Sequence, residues 1–401
     1  MLLQWLDGFK TIYHTIVLYL SALFTLMTPG TVIWKLFGEK KGKVRLLGRN
    51  LICDSETLIR EGKSFTPLDQ FTNALHPFIP LFSIDNEEEW KRRRDVFNYG
   101  NNLINQRLMH TSFDFKLEAE KGNILWPLFQ LVFRFSFQLV FNRNISEQEF
   151  NELYPGLLDI NKIIKRFTAK LNLVDRQKFY EATWKLIEQN EEGFLFHGFP
   201  SFHALNQLHQ VSSVAEDFLT TIAVQCTDLI CHLLILYSEH ADDFHHDFDN
   251  AFNETLRLYP LTDLWVRQPS ADQPAWIASL VQLNRNGWTE PNRFLPSRWN
   301  LNNHPPLMSW GFDIRRCPAQ KMATTITKLI FQRIINTDGF WVETAKNFIH
   351  ERTFPYGCQL WIGYGEKPDQ AHKWKFPNKF RMQIRRWACE KFRMLDQNEL
   401  N

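Results

Sequence analysis

Cys317 carries the most distinctive chemistry in the sequence, because its thiol lies in a loop that runs directly into a predicted helix. The helix, from Met322 to Asn336, is indicated by apolar residues at helical spacing. Arg315 and Arg316 precede the cysteine, so positive charge and a helix N-terminus both favour the thiolate. Ala319 leaves room for a large flat ligand against the backbone. The pattern is typical of a cysteine that ligates haem iron; the alternative is a buried structural cysteine beside a helix start.

Three further motifs lie upstream of this loop, in the order Trp90–Arg94, Glu254–Arg257 and Pro296–Trp299. The second puts an acid and an arginine three positions apart, on one face of a helix. Together with the cysteine loop, the motifs resemble the cytochrome P450 family over about residues 31 to 365. The loop matches the family pattern at Trp310, Gly311, Arg315, Cys317 and Ala319. It departs from the pattern at Asp313, where the family more often has Gly.

The resemblance implies one mainly α domain with small β-sheets, a triangular prism of helices around haem b (iron protoporphyrin IX). Cys317 would be the proximal ligand of the iron. The resemblance also implies two sets of supporting residues. The residues expected to contact the cofactor are Trp90, Arg94, Arg267, Trp310 and Arg315. The residues expected to form a buried charged cluster behind the cysteine loop are Glu254, Arg257 and Arg298.

The basic residues that follow Trp90 lead to two separate predictions. Lys91, Arg92 and Arg93 are interpreted as a solvated basic face of a charged helix over Glu87 to Phe97. Arg94 lies one turn after Trp90 on the same face, so these two side chains are expected to hold a haem propionate.

Residues 212–240 are expected to form the long central helix that crosses the haem face. The family usually has an acid directly before a Thr at its middle, a pair that relays protons to bound oxygen. No acid directly precedes a Thr here, and the candidate positions are Val224–Gln225, Thr220–Thr221 and Cys226–Thr227. Gln225, Thr227 and Thr221 are therefore the candidate catalytic residues. The alternatives are a peroxide-driven reaction, a rearrangement that needs no proton relay, or polar residues without a catalytic role.

Several elements are predicted outside these motifs. Helices are expected over 122–142, 146–167 and 174–192, and strands over 264–267, 339–343 and 351–364. A hairpin is expected from Lys43 to Cys53 with Gly48 to Asn50 at its turn, and Gln282 to Arg285 is expected on a strand. The aromatic stretch from Phe65 to Phe82 occupies the place of the loop that covers the pocket in the family.

Composition limits the classes of function. The net charge of +2 over 401 residues is too small to indicate a nucleic-acid partner. The six cysteines show no Cys-x-x-Cys pair, which favours a reducing compartment and a cytoplasmic location. Residues 1–30 contain an apolar stretch, 11–28, that is either a membrane anchor or interfacial helix, or a buried first helix of the 31–365 domain. The basic extension 366–401 either packs on its own domain or touches an anionic membrane surface or a redox partner.

The resemblance therefore predicts a haem-thiolate monooxygenase that oxygenates an apolar small molecule. Its electrons would come from a separate protein, a ferredoxin or a flavin reductase. The second hypothesis keeps the fold but makes the chain a peroxygenase or an isomerase, because the acid–Thr pair is missing. The third is a degenerate, non-enzymatic haem-binding protein.

Overall fold

The structure is a computed structural model that describes residues 33–34, 36–46, 49–61, 66–67, 75–84, 86–110, 124–165, 172–262, 264–268, 276–313, 316–344 and 360–365. The expected N-terminal segment 1–30 and the extension 366–401 lie outside these residues. Helices account for most of the described chain. They are Ser55–Glu61 (α1), Glu87–His110 (α2), Leu125–Phe141 (α3), Glu147–Lys165 (α4), Leu173–Gln189 (α5), Pro200–His203 (α6), Gln207–His246 (α7), Phe248–Leu258 (α8), Leu280–Arg285 (α9) and Gln320–Ile335 (α10). Short 3-10 turns occupy Leu81–Ser83, Pro296–Asn300 and Met308–Trp310.

Two small sheets flank the helices. The first contains Lys43–Leu46 (β1), Arg49–Ile52 (β2), Thr66–Pro67 (β3), Leu264–Gln268 (β4) and Trp276–Ser279 (β5) in the order β1-β2-β5-β4-β3. Strands β2 and β5 pair in parallel, and the other neighbours pair antiparallel. The second sheet is an antiparallel pair of Trp341–Thr344 (β6) and Leu360–Gly363 (β7). Mainly helical architecture with small sheets is the predicted fold class, and the structure confirms it.

The core is built around α7, which runs for 40 residues and is buried on all sides through most of its length. Because such a helix has no solvent face, its neighbours must also be strongly apolar. Helix α3 meets this need, since Phe133, Phe135 and Phe137 are all fully buried. Helix α7 is long and apolar enough to cross a membrane, but 89% of its most apolar window is buried within the protein, as in a core helix.

Helix α7 is α-helical at its ends and π-helical in the middle, over Ser213–Thr220 and Ile222–Cys226. In the π-helical part the backbone N–H of Thr221 donates to the carbonyl of Glu216, five residues back. The Thr221 hydroxyl donates to the same carbonyl at 2.7 Å, so both bonds hold the wider turn. The helix bends at His240, where φ and ψ leave the helical region.

Most predicted elements lie within a few residues of the observed ones, and two predictions are wrong. Gln282 to Arg285 is not a strand but the end of helix α9, which starts where the Ser279 hydroxyl accepts from the Gln282 N–H. The hairpin is present, but Arg49 and Asn50 belong to β2 rather than to its turn. The turn residues 47 and 48 lie outside the described part of the chain.

Candidate active site

The loop that carries Cys317 is shaped by backbone hydrogen bonds and two left-handed residues. The Cys317 N–H donates to the Trp310 carbonyl at 2.7 Å and so closes the loop. Gly311 has φ +78° and Asp313 has φ +57°. A left-handed conformation is open to Gly and tolerated by Asp. This explains why the family pattern more often has Gly at the position that Asp313 occupies here. Helix α10 begins three residues after the cysteine, as the apolar periodicity indicated.

The electrostatics at Cys317 differ from the prediction. Burial raises the pKa of the thiol above its ordinary value and outweighs the groups that oppose it. Those groups are the Ala319 N–H, which bonds the sulfur, and the charges of Arg94 and Arg316. Positive charge is therefore present as expected, but the net effect of the surroundings favours the protonated thiol over the thiolate.

Helix α2 brings Trp90 and Arg94 to this loop. The Arg94 guanidinium lies 5.7 Å above the Trp90 ring, and its Nη1 donates to the carbonyl of Arg316 at 3.3 Å. Trp90 is buried, with 8% of its surface exposed. Trp90 and Arg94 thus lie beside Arg316, the residue before Cys317. From there Arg94 could donate a hydrogen bond to an anionic group of a bound cofactor.

The structure brings Glu254, Arg257 and Arg298 together in a buried cluster. Arg257 binds the Glu254 carboxylate with two hydrogen bonds of 2.8 Å, and Arg298 Nε lies 3.2 Å from the same carboxylate. The N–H groups of Leu295 and Trp299 donate to it at 3.0 Å each. The cluster thus ties helix α8 to the 3-10 turn Pro296–Asn300, and every charge in it has a partner.

Comparison with known proteins gives no match to a family model and none to a curated protein. Solved structures do match over most of the chain. The retinoic acid-bound cyanobacterial CYP120A1 has a TM-score of 0.61 at 15% identity, covering 84% of this chain and 94% of that one. CYP109Q5 from Chondromyces apiculatus has a TM-score of 0.61 at 13% identity, covering 85% and 96%. Cytochrome P450EX alpha with myristic acid has a TM-score of 0.60 at 13% identity, covering 84% and 94%.

The chain has the cytochrome P450 fold. The predicted resemblance is thereby confirmed at the level of fold, and the single-domain architecture with it.

Within this P450 fold, helix α7 passes the cysteine loop near Cys226. The Cys226 thiol lies near Thr327 of α10, and burial raises its pKa to about 12, with a smaller contribution from Cys317. Every residue from Val211 to Leu236 is buried except Thr221 and Gln225.

Two of the predicted catalytic side chains on α7 end in unpartnered atoms. Gln225 Oε1 and Thr227 Oγ1 are buried without a hydrogen-bond partner among the described residues. The Thr221 hydroxyl is used by the backbone of its own helix. A catalytic role for any of the three stays a prediction.

The side chains of two predicted cofactor residues, Arg267 and Arg315, lie outside the described part of the structure. Arg267 lies in strand β4, opposite Trp276 of β5, and only its backbone position is described. Arg315 lies outside the described residues. A role for either side chain stays a prediction.

Arg93 contradicts the predicted solvated face, because its side chain is fully buried. Its guanidinium forms an ion pair with Asp217 of α7 and donates to the Ile79 carbonyl at 3.1 Å and to His209 Nδ1 at 3.0 Å. His209 Nε2 in turn contacts the Glu89 carboxylate. The neighbouring Arg92 does lie in solvent, paired with Glu88 one turn back. Consecutive helical positions differ by 100° in direction, which explains how adjacent arginines reach opposite environments.

The sequence analysis did not predict the burial of two acids, Glu216 and Asp217, or of two arginines, Arg93 and Arg176. Two adjacent acids inside an apolar helix were the available signal, because acids are almost never fully buried unless they are paired. Neither acid directly precedes a Thr, so the family pattern gave no reason to single them out.

The described residues fit haem better than a directly coordinated metal ion. Among them, no group of three or more His, Cys, Asp or Glu could hold an ion. Haem iron needs only one or two protein ligands, and Cys317, with the Ala319 N–H beside its sulfur, could supply one. Arg94 and Arg316 add positive charge beside it.

Proposed function

We propose that this chain is a haem-thiolate monooxygenase that oxygenates an apolar small molecule with electrons from a separate donor protein. The observation that carries the proposal is the Cys317 loop, with its sulfur bonded by the Ala319 N–H and flanked by Arg94, opposite the middle of α7. When bound, haem b supplies the oxygen chemistry, and the thiolate raises the electron density at its iron.

In this proposal the chain binds and orients the cofactor. Cys317 holds the iron, Trp310 packs beside it, and Arg94 with Trp90 holds one propionate. Arg267 and Arg315 are proposed for the remaining acidic groups. The buried cluster around Glu254 keeps the support of the cysteine loop in one arrangement, since moving any member would strand a charge.

An apolar substrate is favoured by the aromatic residues that pack between residues 75–84 and α5, in the region that the resemblance assigns to the loop over the pocket. Phe78 is buried, with its ring centroid 5.5 Å from Phe179 and 6.2 Å from Tyr180. The ligands named for two of the similar structures, retinoic acid and myristic acid, are largely apolar carboxylic acids. We extend to this chain only the apolar class.

A peroxygenase on the same fold is the second candidate. It is favoured by one observation, the lack of an acid directly before a Thr in α7. Product formed with peroxide alone, at a rate that added electron donors do not increase, would establish this alternative. Product that requires dioxygen and an electron donor would exclude it.

The test is the absorption spectrum of the reduced, carbon monoxide-bound protein, for wild type, Cys317→Ala and the matched control Cys53→Ala. Cys53 is a buried cysteine in a separate cluster beside the five-stranded sheet. We expect a strongly red-shifted Soret band in the wild type and the control, and its loss in Cys317→Ala. A band typical of histidine ligation, or a band that survives in Cys317→Ala, would refute the proposal.

A further inference from the structure

The segment formed by residues 75–84, called the anchored segment below, is held at its middle by side chains of two helices. The Ile79 N–H donates to the hydroxyl of Ser212 on α7 at 3.0 Å. The Ile79 carbonyl accepts from the guanidinium of Arg93 on α2 at 3.1 Å. Both side chains are fully buried, so the backbone of the segment forms part of the protein interior at this point.

Arg93 is the centre of this contact. Its Nη2 forms the ion pair with Asp217, which also accepts from the Leu81 N–H at 3.2 Å. Its Nη1 donates both to the Ile79 carbonyl and to His209 Nδ1, the latter at 3.0 Å. A guanidinium has donors only, so His209 must offer the lone pair of Nδ1. The position of Arg93, and with it the hold on the anchored segment, therefore depends on a neutral His209 ring.

The second ring nitrogen of His209 connects this buried contact to solvent. Its Nε2 contacts the carboxylate of Glu89 on α2, whose side chain is 42% exposed. A carboxylate only accepts, so the one proton of the neutral ring lies on Nε2 and is donated to Glu89. A further proton can bind only at Nδ1, where it would remove the lone pair that Arg93 uses and bring two cations together. Protonation of His209 and its hydrogen bond with Arg93 thus exclude each other.

The charges around His209 agree with this geometry. Burial and Arg93 lower its pKa below the ordinary value of 6.5, against the opposing effects of Glu89 and Asp217. Helix α5 also packs against the start of α7, and its buried charge, Arg176, is paired with a carboxylate of α4. The ring is therefore neutral while the segment is anchored. Anchoring is fully present above pH 6.5 and is weakened as pH falls below it.

We propose that His209 is a pH-sensitive latch, whose protonation displaces Arg93 and releases the middle of the anchored segment from α7. The step takes up one proton from solvent, Arg93 keeps its charge, and the protonated ring keeps Glu89 as its partner. The start of the segment stays bound, because Arg176 donates to the His76 carbonyl at 2.9 Å. The latch goes beyond the proposed oxygenase function and does not require it. Only its consequence, a pH-dependent entry of substrate through this region, rests on that function.

Hydrogen–deuterium exchange of the full chain, followed by mass spectrometry of peptides from residues 75–84, measures the release. The reporters are the N–H groups of Ile79 and Leu81, with rates corrected for the intrinsic effect of pH on exchange. We expect their protection to fall by up to about tenfold per pH unit below about pH 6.5, since release takes up one proton. Protection in the buried helix α3 should not change. Constant protection of the reporters between about pH 7.5 and about pH 5, or an equal fall in α3, would overturn the proposal.

The variant His209→Asn separates the proton from the hydrogen bond. The amide oxygen of Asn can accept from Arg93 in place of Nδ1 but does not titrate. Protection should therefore resemble that of the wild type at about pH 7.5, and its fall at lower pH should disappear. The matched control His203→Asn removes an exposed histidine of α6 and should keep the fall. A fall that persists in His209→Asn would show that another group titrates and would exclude the latch.

A second pair of variants covers the case in which His209→Asn does not fold. Glu89→Gln keeps an acceptor for Nε2 but removes the charge that favours the protonated ring. It should move the loss of protection to lower pH by about half a unit, the effect of one partly exposed ion pair. The control Glu88→Gln removes the neighbouring, more exposed acid, which pairs with Arg92, and should leave the profile unchanged. Identical profiles for the two variants would contradict the proposal.

The exchange test and the haem test fail separately, because exchange is measured on the full chain whether or not it carries haem. A pH-dependent release without a thiolate spectrum would leave the latch standing and remove its consequence for substrate entry. A red-shifted carbon monoxide spectrum with protection independent of pH would remove the latch and leave the oxygenase proposal standing.

Discussion

Arg92 and Arg93 are the same residue type at adjacent positions of α2, yet the structure predicts very different costs for removing them. The Arg93 side chain is fully buried against Asp217, whose side chain is 6% exposed. The Arg92 side chain is 68% exposed, and its partner Glu88 is 76% exposed. Arg93→Met and Arg92→Met therefore form a matched pair that differs only in environment.

The expected magnitudes follow from what each substitution leaves behind. Arg93→Met strands the Asp217 charge inside the protein, which costs about 3–5 kcal/mol. It also removes the hydrogen bond to the Ile79 carbonyl, worth about 1 kcal/mol. Arg92→Met breaks an exposed pair worth about 0–1 kcal/mol. Against a total free energy of unfolding of about 5–15 kcal/mol, the first loss is severe and the second is small.

Urea unfolding, monitored by far-UV circular dichroism, measures the loss of stability in both variants. With a urea dependence of about 3 kcal/mol per molar, Arg93→Met should lower the midpoint by more than about 1 M. Arg92→Met should shift it by less than about 0.3 M. The double variant Arg93→Met with Asp217→Asn should lose less stability than the sum of the two single variants, because the stranded charge is gone. Equal midpoints for Arg92→Met and Arg93→Met would refute the burial of Arg93.

Four further outcomes are expected. Glu254→Gln should lower the free energy of unfolding by about 3–5 kcal/mol in the same urea assay, because it leaves the buried Arg257 without its carboxylate. Asp313→Ala should be less stable than Asp313→Gly by about 1 kcal/mol, which thermal melts can resolve, since the residue has φ +57°. The Arg143 guanidinium lowers the pKa of Glu149 to about 2 from its ordinary 4.5, so the stability it provides is present above pH 4.5 and lost as pH falls towards 2; Glu149→Gln should flatten midpoints measured over this range. The pKa of Glu216 is raised instead, so the folded protein should lose stability as pH rises from 4.5 to about 8, and Glu216→Gln should abolish that loss in urea midpoints measured across this range.

The fold was predictable because its signals are local or motif-like. The apolar face of α10, the aromatic run of α3 and the paired residues Glu254 and Arg257 can all be read along the chain. Site geometry was less accessible, because it depends on which side of a helix faces the core. The spacing of Trp90 and Arg94 predicted their common face, but nothing in a run of three arginines shows which one is buried.

The buried acids Glu216 and Asp217 were missed for a different reason. The expected pattern was an acid directly before a Thr, and neither of them stands there. Which side of α7 they occupy depends on its helical period, and the π-helical turns between Ser213 and Cys226 change that period. Likewise, electropositive neighbours of Cys317 were readable from the sequence, whereas the burial that outweighs them was not.

The π-helical turns of α7 have a consequence for how its two halves are oriented. A single regular helix has one rotational phase, so fixing the direction of one side chain fixes all the others. Here Asp217, in the first π-helical part, is held by its ion pair with Arg93 of α2, and Cys226, at the end of the second, lies near Thr327 of α10. The wider π-helical turns between these two residues change the relative rotation of the two parts of α7 about the helix axis. Each part can therefore contact its own neighbouring helix. Deleting one residue between Asp217 and Cys226 would rotate one part of α7 relative to the other, and α7 would then lose one of these two contacts.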